Sequence, residues 1–119
     1  INNIHIVSVI AKGLSIPYIA VLQPHLQLKP TLSDQEQSLT ALKNYAYRKA
    51  FFQKIYPKFE HQLQTASFPG DVFIVSGNDI YSDSNETCFI DEVHLSPTGN
   101  ITLLSGIVNA VQEANFDIN

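Results

Sequence analysis

Asp91 and His94 stand three apart in the run Cys88-Phe89-Ile90-Asp91-Glu92-Val93-His94-Leu95-Ser96-Pro97. A carboxylate and an imidazole at that spacing are the parts that base-assisted attack by a hydroxyl requires. A neutral imidazole takes a proton through Nε2 only when its Nδ1–H is held, and a carboxylate both holds that tautomer and stabilises the imidazolium that forms. A spacing of three within a tight turn lets the acid fold back onto the ring. Asp-x-x-His by itself arises often by chance, so its surroundings decide. The chain has no serine in the setting of a nucleophile. Ser76 follows an apolar run, but the Gly-x-Ser-x-Gly elbow is missing. Ser96 reads as the N-cap of a helix that has Pro97 at its first position. Neither serine can be named as a nucleophile.

The elements that must position this pair follow from periodicity. Ile4, Val7, Ala11 and Leu14 recur at helical spacing, which predicts an amphipathic helix over 3–14. Tyr18 to Leu22 is a short continuous apolar run, the pattern of a strand buried on both faces of a parallel sheet. Residues 25–33 read as loop. Ser33-Asp34-Gln35-Glu36 is a capping box, opening one long helix that Pro57 must kink or split. The aromatics Tyr45, Tyr47, Phe51, Phe52, Tyr56 and Phe59 are assigned to the packing of that helix. After the Pro69-Gly70 turn, Asp71 to Ser76 reads as a second buried strand and 77–87 as loop. Ile101, Leu104, Ile107, Val108 and Val111 give the last helix its apolar stripe. Alternating helices and strands predict parallel strands with helices on the faces. Two strands alone are marginal in water, so further structure is expected to flank them.

Composition narrows the function classes. A length of 119 residues fits one domain, and 45% hydrophobic content supports a packed core. A net charge of −4 argues against a nucleic-acid binder. Lys43, Arg48, Lys49, Lys54 and Lys58 cluster as a solvated helix face. Cys88 is the single cysteine, which allows no internal disulfide and offers no metal-ligand spacing. It reads as a small buried hydrophobe. No run is long and apolar enough to span a bilayer. The first residues lack the charged and apolar regions of a signal peptide, and the helical pattern already under way at residue 4 reads as a chain entered midway. Gln23 and His25 follow the C-terminal end of a strand, where ligands of open α/β sheets bind, and are candidate substrate contacts. His5 and His61 have no partner pattern, and Glu92 reads as a solvated acid.

The run Ile90-Asp91-Glu92-Val93-His94-Leu95-Ser96-Pro97-Thr98-Gly99-Asn100 resembles the last conserved block of the SGNH (GDSL-type) hydrolases, and Tyr18 to Pro24 looks like one of that family's late central strands. The resemblance implies a flavodoxin-like, three-layer α/β/α parallel-sheet fold of which residues 1–119 form the C-terminal part. It also implies ester or acyl hydrolysis without cofactor or metal, with His94 as base and Asp91 as its orienting partner. The family's Gly-Asp-Ser block is absent, since Gly70-Asp71 is followed by Val72. Gly77-Asn78-Asp79 only superficially matches the oxyanion block and reads as ordinary loop. An N-terminal portion or a second chain carrying the serine is thus the implied partner, and a small-molecule or glycan ester the implied substrate. The alternatives are a degenerate binding module for an acylated glycan or a protein, and acyl transfer to an acceptor hydroxyl, which the same acyl-enzyme serves.

Overall fold

The computed structural model describes residues 1–118. Its elements in chain order are α1 (Asn2–Gly13), β1 (Tyr18–Leu22), a 3-10 turn (Leu26–Leu28), α2 (Asp34–Leu39), α3 (Tyr45–Thr65), β2 (Val72–Ser76), α4 (Gly77–Ile80) and α5 (Pro97–Glu113). The strands pair in parallel, Tyr18 opposite Val72 through Leu22 opposite Ser76. Parallel neighbours need a long crossover, and α3 lies within it. The chain is thus α/β, with helices around a two-stranded parallel sheet. No helix among the described residues is long and apolar enough to cross a membrane.

The long central helix breaks at a different place from the one expected. Pro57 sits inside α3 without ending it. Tyr56, next to the proline, and Leu63, further along the helix, are buried. The break falls at Thr40–Asn44. There the bonds tighten to Ala41 N–H on Ser38 O and Leu42 N–H on Leu39 O, and Asn44 takes the left-handed conformation with φ 67°. Asparagine tolerates that region better than most residues, and Leu39 and Tyr45, on either side of the turn, both join the core.

That core lies beyond the C-terminal ends of the strands. Leu26, Tyr45, Tyr81, Cys88 and Phe89 form it, with Leu32, Leu39, Ile80, Leu95 and Leu103 packed against them. Cys88 is fully buried, as its apolar neighbours predict. Residues 25–33 are loop apart from the 3-10 turn, with Leu26, Gln27 and Lys29 buried. Gly77-Asn78-Asp79 is part of a one-turn helix, correcting the loop assignment. Gly77 is required there, because a Cβ would stand 2.5 Å from the carbonyl oxygen of Leu22.

The sheet and its helices are incompletely covered. Of β1 only Ala20 is buried, and Val21 is exposed, so the strands are not enclosed on both faces. The stripe of α5 is divided, with Val111 buried while Ile101 and Leu104 are 68% and 64% exposed. On α3, Tyr47 is exposed and does not pack as expected, and Phe51 is half-exposed with its ring edge-on to Phe52. Total accessible surface is 7569 Å² for 13.3 kDa, against roughly 6,450 Å² for a compact monomer of that mass. A groove of about 320 Å³ runs along β1 between Ile1 and Ile4 of the N-terminal region and Phe59 and Leu63 of α3.

Candidate functional site

The segment 88–96 is a tight hairpin. Phe89 and Leu95 form an antiparallel bridge. Ile90 N–H donates to the His94 carbonyl at 3.0 Å, and Ser96 N–H to that of Cys88 at 2.8 Å. The tip is Asp91-Glu92-Val93, and Asp91 builds it as an acidic residue builds an Asx turn. Its Oδ1 accepts from Val93 N–H at 2.9 Å and from His94 N–H at 2.8 Å. Its Oδ2 stands 2.7 Å from His94 Nδ1. The predicted pair is therefore brought together by bonds that the tetrapeptide makes within itself.

Those bonds set the electrostatics. The N–H groups of Val93 and His94, and then the His94 ring, pull the Asp91 carboxyl down to about 2. Asp91 is a carboxylate at neutral pH and can only accept. The hydrogen between the two side chains therefore sits on His94 Nδ1, and Nε2 is the ring nitrogen that Asp91 does not engage. The His94 side chain is 73% exposed, and no described side chain hydrogen-bonds Nε2.

The hairpin is fixed to the body at several points. Leu26 N–H donates to the Glu92 carbonyl at 3.0 Å. Gln23 Nε2 reaches the Val93 carbonyl at 3.4 Å, and the Gln23 carbonyl accepts from the Tyr56 hydroxyl. Gln23 thus stands beside the hairpin tip. His25 is held differently. Its N–H donates to Asn78 Oδ1 at 3.0 Å, and its ring lies 4.2 Å from Phe52, centroid to centroid. Burial pushes its imidazole below the ordinary value, with Glu92 opposing. Glu92 is not the solvated acid its sequence context implies. Arg48 Nη2 pairs with it at 2.7 Å, and its side chain is only 16% exposed. Arg48 is thereby removed from the solvated basic face, while Lys43, Lys54 and Lys58 remain exposed.

Below the hairpin, Ser96 Oγ accepts from Gly99 N–H at 3.0 Å and donates to the Thr87 carbonyl at 2.6 Å, so it is the N-cap of α5 and not a nucleophile. Ser76 Oγ donates to Glu60 Oε1. Gly99 passes so close to Cys88 that a Cβ would stand 2.0 Å from the Cys88 carbonyl oxygen. Gly99→Ala must push the hairpin's first arm off the helix. The expected loss is about 1–3 kcal/mol, seen as a lower midpoint in thermal unfolding; an unchanged midpoint would contradict this packing.

Three features escaped the sequence: the Arg48–Glu92 pair, the role of Asn78 in holding His25, and the reach of Glu36. Oε1 of Glu36 accepts from Cys88 N–H at 2.9 Å and Phe89 N–H at 3.0 Å, while Lys29 Nζ meets Oε2 at 2.5 Å. Only the capping-box half of Glu36 had a local signal. No family model matches the chain, and no curated protein or solved structure matches it.

Proposed function

We propose that Asp91 and His94 are the base side of a serine-hydrolase triad of the SGNH type acting on carboxylic esters, such as an O-acetyl group on a glycan or a small lipid ester. The observation that carries this reading is the ring of His94, bound through Nδ1 to an ionised Asp91 and open to solvent at Nε2. In the mechanism, Nε2 takes the proton of an attacking hydroxyl as the acyl-enzyme forms. The imidazolium then returns that proton to the leaving alcohol, and a second cycle with water releases the acid. Asp91 stays a carboxylate throughout, stabilising the imidazolium and denying the ring its other tautomer. The hydroxyl and the oxyanion donors come from residues upstream of Ile1 or from another chain, within a three-layer α/β/α domain of which this chain is the C-terminal part. The open edge of β1, the exposed apolar faces of α1 and α5, and the surplus of surface support such an arrangement.

A second reading has one observation in its favour: no described serine, threonine or cysteine meets His94. A degenerate domain that binds an acylated glycan or a protein would look the same, and acyl transfer would share the first half-reaction. The test is hydrolysis of a short acyl ester by the native protein, with any chain that accompanies it, compared with the His94→Ala variant. Turnover that depends on His94 supports the hydrolase. Ester binding with no turnover favours the binding module, and turnover indifferent to His94 sinks the triad.

A further inference from the structure

Glu36 does more than its capping box requires. The box needs one bond, from Ser33 N–H to Oε2 at 2.9 Å. The other bonds reach far along the chain. Oε1 takes the N–H groups of Cys88 and Phe89, and Lys29, on the other oxygen, extends its ammonium to the Glu86 carbonyl at 2.6 Å. The Lys29 and Glu36 side chains are 1% and 0% exposed. Burying two charges carries a desolvation penalty that apolar residues of similar volume avoid, so stability alone gives little reason for an ion pair here. Its bonds converge on the first arm of the hairpin, residues 86–89. Phe89 pairs with Leu95, and the next residue, Ile90, holds the His94 carbonyl.

We propose that Glu36, seated by Lys29, is a positioning residue for the dyad: by fixing the backbone of Cys88 and Phe89 it sets how the Asp91 carboxylate meets the His94 ring. Its catalytic meaning rests on the hydrolase reading above; its geometry does not. The rival account is that the Asx turn of Asp91 is self-sufficient and Glu36 merely stabilises the fold.

The experiment is an NMR titration of the Asp91 carboxyl carbon in the full chain, alongside thermal unfolding. Two variants are compared with the wild type. Glu36→Gln keeps an acceptor for Cys88 and Phe89 but loses the charge. The double variant Glu36→Leu/Lys29→Met removes both charges together and leaves neither orphaned. With the anchor gone, the Asp91 midpoint, which the N–H groups of Val93 and His94 hold below the usual carboxylate range, is expected to rise above its wild-type position by about one pH unit or more in the double variant, and by about half a unit in Glu36→Gln. A merely structural pair would lower the unfolding temperature and leave that midpoint alone. A midpoint unchanged from that of the wild type in whichever variant folds overturns the proposal. Because the titration needs no substrate, absence of ester hydrolysis in the native protein would sink the hydrolase reading without touching this result.

Discussion

Replacing His94 by alanine is expected to lower the turnover of a short acyl ester by about ten-thousandfold, the scale on which a triad base acts. The loss should fall on kcat and leave KM nearly unchanged, because the ring meets a proton in flight and carries none of the substrate's binding. The substitution is well suited to the test. The His94 side chain is 73% exposed and makes a single hydrogen bond, to Asp91, so stability should shift by less than about 0.5 kcal/mol. Asp91→Asn should approach the same loss by another route. Its amide can present a donor to Nδ1, which favours the tautomer with Nε2 already protonated and unable to act as base. Full activity in either variant, with the fold intact, would remove this pair from the chemistry.

Glu36→Ala should produce the largest stability loss of any single substitution considered, about 3–5 kcal/mol, the range for breaking a buried pair from one side. The Lys29 ammonium would be left at 1% side-chain exposure without its counter-charge. The N–H groups of Ser33, Cys88 and Phe89 would lose their acceptor. Against a total stability of about 5–15 kcal/mol for a domain, such a loss brings the chain close to unfolding. The pH dependence has a definite sign. Burial pushes the Glu36 carboxyl up, but Lys29 and the N–H groups of Ser33 and Cys88 pull it down further, and it ends below its ordinary value. Asp91 is lowered in the same direction, to about 2. For carboxyls lowered by folding, the stabilisation is complete above the unfolded-state value of about 4 and is lost as pH falls through the folded value. Urea unfolding at pH 7 and pH 3 should therefore show a wild type that weakens in acid and a Glu36→Ala variant that weakens less. Equal slopes would show that Glu36 is not paired as described.

What the sequence made legible was local. The dyad closes on itself within four residues, and the capping box of Ser33 and the cap at Ser96 are equally short-ranged, so residue type and spacing were enough to place them. The strands were legible in extent but not in environment. Continuous apolar runs predict enclosure on both faces, while Val21 is exposed because two strands are too few to be enclosed. The same lack of cover divides the stripe of α5. The helix break was misplaced because proline is a visible local cost, whereas Asn44 in the left-handed region turns the chain where Leu39 and Tyr45 both join a core assembled from distant segments, which no window of sequence displays. Glu36 was half legible for the same reason. Its bond to Ser33 spans three residues, and its bonds to Cys88 and Phe89 span more than fifty.

The mounting of the hairpin has a built-in reporter. Cys88 is the only thiol, it is wholly enclosed, and its N–H rests on Glu36. An alkylating reagent can reach it only when residues 86–89 lift away from the lysine and glutamate beneath them. The rate of alkylation in the native state, set against that of the unfolded chain, therefore measures the free energy of that local opening.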